Sequence, residues 1–174
     1  MKVCKFGGSS LADAAQVNKV IDIVLADPAR RIVVVSAPGK RHSGDTKVTD
    51  LLIALAETAL KGDNTDREFG EVAERYASMA DALKLGDGIV KLIEDDLRGR
   101  LAQAKSLAPE EFMDLMKAAG EDNNSKLLAA AFEARGRKAR YASPKDTGMV
   151  LKGSFGDATL DAESYARLSR AFSN

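Results

Sequence analysis

The run Arg31-Ile-Val-Val-Val-Ser36 constrains the fold of this chain more than any other stretch. Its β-branched residues follow one another without polar alternation. A strand with one wet face alternates; an unbroken apolar run suits a strand covered on both faces, as in a parallel sheet. A parallel partner requires a long crossover, usually a helix. The preceding residues supply both. Lys2 to Phe6 reads as a short strand. Ser10-Leu-Ala-Asp13, a serine followed by an acid, is a variant of the capping box and predicts a helix start. Ala14, Val17, Ile21 and Val24 then give that helix one apolar face, and Asp27-Pro28 stops it. The three pieces form a β-α-β unit, for which a right-handed crossover is expected.

Beyond the loop APGKRHSGD a second helix is predicted, with Val48, Leu51, Leu52, Leu55 and Ala59 on one face and Gly62 after it. Residues 64–107 read as helical. Phe69, Val72, Tyr76, Met79 and Leu83 form one stripe, Ile93, Leu97 and Leu101 another, with Gly86-Asp87-Gly88 between them. Pro109 opens a helix expected to end at Gly120. A new helix carries Leu127, Leu128, Ala131 and Phe132 to Gly136. Lys138 to Ala142 is expected as a strand, and Met149 to Leu151 as a further one. Ala158 to Leu160 reads as extended, and Asp161 caps a last helix. Strands separated by helices define an α/β fold: an open, mostly parallel sheet with helices on both faces and a helical excursion around 64–120. Ligands of such folds sit outside the carboxyl ends of the strands, so the loops after the strands are where chemistry is sought.

A chain of 174 residues with 45% hydrophobic content fits one domain with a real core. Lys plus Arg and Asp plus Glu balance at 26 each, which argues against a nucleic-acid binder but leaves room for a local cationic pocket. The single cysteine, Cys4, permits no intrachain disulfide and reads as a buried packing residue. No stretch reads as a signal peptide or a membrane span, so a cytoplasmic protein without a membrane partner is expected. His42 is the only histidine and no metal-ligand cluster surrounds it; no structural metal is expected.

Three loops carry candidate chemistry. In Lys5-Phe6-Gly7-Gly8-Ser9-Ser10, glycines let the backbone bend tightly and let an anion approach its N–H groups. The helix start beyond adds its positive end, and Lys5 adds a full charge. The lysine precedes the glycines, so this is neither a dinucleotide fingerprint nor a Walker A loop. A tight turn beside a solvated lysine is the plain alternative. The exit of the second strand, Ser36-Ala-Pro-Gly39, is similar in character. Thr49 follows in the first turn of a helix, where its hydroxyl can face a ligand, or where it or Thr46 can cap. Lys40, Arg41, His42 and Lys47 read as a solvated basic loop. Glu121, after Gly120, is favoured by the helix dipole at a helix start and would equally suit a ligand's ammonium group.

Taken in order, KFGGSS, VVVSAPGK with TKVTDLLIAL, and GEDNNSKLLAAAFEARGRKARYASPKDTG resemble the aspartate kinases of the amino-acid kinase superfamily along essentially the whole chain. The resemblance implies ATP-dependent phosphorylation of the side-chain carboxylate of L-aspartate to 4-phospho-L-aspartate, the first step of lysine, threonine and methionine biosynthesis. It makes Lys5 the lysine on the transferring phosphoryl group, with Phe6, Gly7 and Gly8 along the nucleotide phosphates. Thr49 and Glu121 become aspartate-binding residues, with Ser36 and Ser9 lining the same cleft. GEDNNS departs from the commoner GE-x-L-S form of that segment.

The family's later arginine-glycine-glycine-serine-aspartate and threonine-aspartate-valine-aspartate segments do not occur in these residues. The expectation is therefore that 1–174 is the amino-terminal, substrate-side portion of a kinase domain. The nucleotide lobe, the Mg2+ ligands and the regulatory ACT domains would lie outside it. Such a portion is expected to be inactive alone and to self-associate. The rival readings are a non-catalytic small-anion or amino-acid binding module, and another amino-acid or carbamate kinase.

Overall fold

A computed structural model describes residues 1–173. Strand β1 (Lys2–Phe6) leads through a 3-10 turn (Gly8–Leu11) to helix α1 (Ala14–Leu25) and strand β2 (Arg30–Val35). The two strands pair in parallel, Lys5 opposite Val34 and Phe6 opposite Val35, so the apolar run and its crossover assemble as their sequences require. β2 contacts both α1 and α5 (Pro109–Ala134). The true cap of α1 is Asp13, whose carboxylate accepts the Gln16 amide at 2.8 Å. Ser10 lies instead in the 3-10 turn, its amide donating to Gly7 O at 3.0 Å. The capping-box expectation is corrected by one turn: the chain first steps away from the sheet end, and only then starts a helix.

The helices α2 (Val48–Lys61), α3 (Asp66–Ala82), α4 (Asp87–Leu101) and α5 pack α2 on α3, α3 on α4, α4 on α5 and α2 on α5. The predicted stripes fill the interior between them. Val72, Tyr76 and Met79 of α3, Ile93 and Leu97 of α4, and Phe112, Met116 and Leu127 of α5 are buried. Burial of such side chains contributes roughly 1.5–3 kcal/mol each. Gly62, at φ 79°, closes α2 in the left-handed conformation that glycine adopts without a Cβ penalty.

Several expectations are corrected. α5 runs unbroken for 26 residues through Gly120. The glycine is there for close packing, not as a stop. Residues 138–142 form no strand. Tyr141 is instead tied to α5 by its hydroxyl, which donates to the Asp122 carboxylate at 2.8 Å. Cys4 is only partly buried. The strand expected at Met149 to Leu151 begins only at Leu151, as β3 (Leu151–Ser154), while the extended piece at Ala158 to Leu160 lies within β4 (Asp157–Leu160); the two form an antiparallel hairpin separate from the parallel sheet. The cap position of α6 (Glu163–Ala171) is Ala162, one residue later than expected, and no side chain caps it; Asp161 precedes it, and its carboxylate accepts the Glu163 amide at 2.8 Å. No helix among the described residues is long and apolar enough to cross a membrane.

Candidate functional site

Three segments converge on Ser36–Gly39, the exit of β2: β1 with its glycine turn, the start of α2, and α5. From β1, Phe6 O accepts the Ser36 amide at 3.2 Å and Gly8 O accepts the Gly39 amide at 2.8 Å. The contact is tight enough to demand glycine on both sides. A Cβ on Gly39 would stand 2.6 Å from the Gly8 carbonyl carbon, and one on Gly8 would stand 2.9 Å from Ala37 O. Gly7 differs: nothing lies within 4 Å of where its Cβ would be. The turn therefore presses one glycine into the neighbouring loop and leaves the other facing open space. Such an arrangement lets a ligand approach the backbone. The turn that follows is a short 3-10 piece and α1 begins only at Ala14. The expected contribution of the helix's positive end is thus displaced from the glycines.

From α2, the Val48 amide donates to Pro38 O at 3.0 Å, which fixes the helix start against the same segment. Thr49 is the next residue and is partly buried. The cap position is Lys47 and no side chain caps it, so the capping role open to Thr46 or Thr49 is not realised. From α5, the buried Asn124 amide donates to Ser36 O at 2.7 Å. A Cβ on Gly120 would stand 2.6 Å from Ala37 Cβ. Tyr76 of α3 donates its hydroxyl to Gly120 O at 2.9 Å. Burial pushes that phenol well above its usual range, with the Glu121 charge adding to the effect, so it stays a donor.

Glu121 follows Gly120 on α5 and is exposed in mid-helix, not at a helix start, so the dipole argument for an acid there does not apply. Lys5 and Ser9 are exposed, while Phe6, Gly7, Gly8, Ser36 and Thr49 are partly buried. The structure thus brings the backbones of all these segments to one end of the sheet. It does not place the Lys5, Thr49 and Glu121 side chains in contact. Two clefts of about 320 and 350 Å³ lie elsewhere, and none of these three residues lines them.

Sequence reasoning missed the polar residues that hold this framework. Arg75 is buried and bonds to Asp45, Thr46 O, Ala12 O and Gly39 O. Asp45 also takes the Arg41 side chain at 2.8 and 2.9 Å, so Arg41 is not the freely solvated residue expected of the basic loop. Farther along α5, Asp96, Arg100, Asp122, Asn123 and Lys126 form a second network joining α4 to α5. Burial works against the Asp96 charge, but hydrogen bonds from Arg100 and Lys126 outweigh it and hold the carboxyl below its usual range. The available signal was the pair Asn123-Asn124 inside an apolar helical pattern. Buried amides need partners, and the side-chain nitrogen of each finds one, while Asn124 Oδ1 is left without.

The model of the amino acid kinase family matches residues 1–172, and this chain belongs to that family. Within it, the likeness is to aspartokinases. Aspartokinase 3 of Bacillus subtilis (strain 168) is 52% identical over 170 residues, covering 98% of this chain and 37% of that protein. The crystal structure of E. coli aspartokinase III in complex with lysine and aspartate superimposes with a TM-score of 0.80 at 27% identity. The same enzyme in complex with aspartate and ADP gives 0.79 at 25% identity. Both comparisons cover 98% of this chain and 37% of that one. The chain therefore spans little more than a third of the length of these relatives.

Proposed function

We propose that residues 1–174 form the amino-terminal, aspartate-side portion of an aspartate kinase domain. The complete protein transfers the γ-phosphoryl group of ATP to the side-chain carboxylate of L-aspartate, opening lysine, threonine and methionine biosynthesis. The observation that carries this reading is the convergence of the Gly7-Gly8 turn, the α2 start and the Gly120-Glu121 stretch on Ser36–Gly39. The complexes of the E. coli enzyme with aspartate and with ADP support the two ligands.

The aspartate carboxylate is ionised at neutral pH, so attack needs no general base. The obstacle is charge: one anion must approach another. Lys5, at the end of β1, and the open backbone of Gly7, with Phe6 and Gly8 shaping the turn, offset the charge on the transferring group. Thr49 and Glu121 hold the amino acid, Glu121 by its ammonium group, with Ser36 and Ser9 along the same cleft. Mg2+ is expected with ATP. Among the described residues no group of three or more His, Cys, Asp or Glu is placed to hold an ion, so these residues do not fit its site. On this reading the 174 residues alone lack activity.

Kinetics of the complete protein test the assignment of sides. Glu121→Gln and Thr49→Val are expected to raise KM for aspartate roughly tenfold or more, about 1.4 kcal/mol each. KM for ATP should stay near its starting value. Equal effects on both substrates would contradict the division.

A further inference from the structure

We propose that Arg75 of α3 is a positioning residue that clamps the glycine turn after β1 to the loop after β2. The helical excursion would thereby set the shape of the anion-binding turn. The inference rests on the reading of that turn given above. Its basis is the bonding of one buried guanidinium. The Arg75 side chain is 3% exposed. One terminal nitrogen donates to Asp45 Oδ2 at 2.8 Å and Thr46 O at 3.3 Å. The other donates to Ala12 O at 3.1 Å and to Gly39 O. Only Nε is left without a partner. The fork thus spans two loops: Ala12 closes the turn that begins at Gly8, and Gly39 is pressed against Gly8.

A cation buried this deeply is costly unless its geometry is well satisfied. Asp45 supplies the countercharge, and Arg41 holds Asp45 from the other side through its amide and guanidinium. Lysine could replace the charge but not the planar fork, because an ammonium cannot reach four acceptors in that plane. The carbonyls of Ala12 and Gly39 are the acceptors that matter, since they belong to the two strand exits. Asp45 and Thr46 anchor the far side of the loop.

The test is amide hydrogen exchange and tripolyphosphate titration on the complete protein, read by NMR. In Arg75→Lys, the Gly39 amide, which donates to Gly8 O, and the Val48 amide, which donates to Pro38 O, are expected to exchange at least tenfold faster. Leu128 in α5 should not change. Leu97→Ala, which opens the core between α4 and α5, serves as a control for general loosening and should lack that selectivity. Asp45→Asn should follow Arg75→Lys, with Asp45→Glu restoring part of the protection. The Asp45 variants also carry the test if Arg75→Lys does not fold. Tripolyphosphate is expected to shift Gly7, Gly8 and Ser9, with at least fivefold weaker binding in Arg75→Lys. Unchanged Gly39 and Val48 exchange overturns the clamp, whatever the anion does. No tripolyphosphate shift in the unaltered chain overturns the phosphate reading of the turn, and the exchange data then decide the clamp alone.

Discussion

Gly120 and Gly99, both inside helices, are predicted to respond in opposite directions to alanine. Gly120 packs on Ala37 and Leu52, where an added Cβ would lie 2.6 Å and 3.3 Å from side-chain atoms. Neither neighbour is a long flexible chain that can swing away. Gly120→Ala should destabilise by about 1–3 kcal/mol through overpacking. It should also push α5 off the exit of β2. Gly99, near the end of α4, has nothing within 4 Å. Gly99→Ala should therefore stabilise by about 0.5–1 kcal/mol, the helix-propensity gain. Denaturant unfolding of both variants checks the pair; equal shifts would refute the packing role of Gly120. The same glycine explains one misreading. A glycine after an apolar stripe suggests a helix end, but here the missing side chain makes room for Ala37.

Among the elements, legibility followed periodicity. The β-branched run of β2 and the apolar stripes of α1, α2, α3 and α4 were readable, because burial imposes a period on the sequence. Residues 138–142 were misread because Ala139 and Tyr141, alternating with basic residues, imitate a strand. Nothing in the sequence reveals that Tyr141 is held by Asp122 on a helix already passed. The site was legible as loops after strands, since Gly7, Gly8 and Gly39 mark turns. The side chains that fix those loops, Arg75 and Asn124, were not, because each acts on a segment far away in sequence.

The link between α3 and the loop after β2 has a pH signature. Hydrogen bonds from the Arg41 side chain hold the Asp45 carboxyl far below its usual range, against its burial. The Arg41 amide and the Arg75 charge assist. An unfolded aspartate titrates near about 3.9. The folded value is the lower one, so the unfolded chain takes up its proton first as pH falls. The stabilisation is full above about pH 4 and is lost progressively below it. Thermal unfolding from pH 7 to pH 3 should show this. Asp45→Asn should start with a lower midpoint at pH 7 and lose less on acidification. Parallel acid slopes in the two proteins would contradict the coupling.

For the whole molecule, the parallel sheet among the described residues has only two strands, and each carries an edge without a strand partner. Val3 on β1 is 62% exposed and Val34 on β2 is 45% exposed. Apolar residues on open edges favour pairing between copies. The 174-residue chain is therefore predicted to self-associate in a concentration-dependent way, and Val3→Lys should weaken this. Sedimentation velocity at several concentrations measures it; a single monomeric species throughout would count against the prediction. The long α5 ties the scales together. It passes from the core beneath α4 to the exit of β2, and carries Gly120, Glu121 and Asn124 on the way.

Lys5 and the glycine turn behind it are proposed to neutralise charge on a phosphoryl group in transfer. The most direct measurement is kcat of the complete protein with Lys5→Ala, alongside KM for both substrates. Loss of one preorganised donor is expected to lower kcat by roughly 10²–10³. Turnover close to that of the unaltered protein would contradict the account.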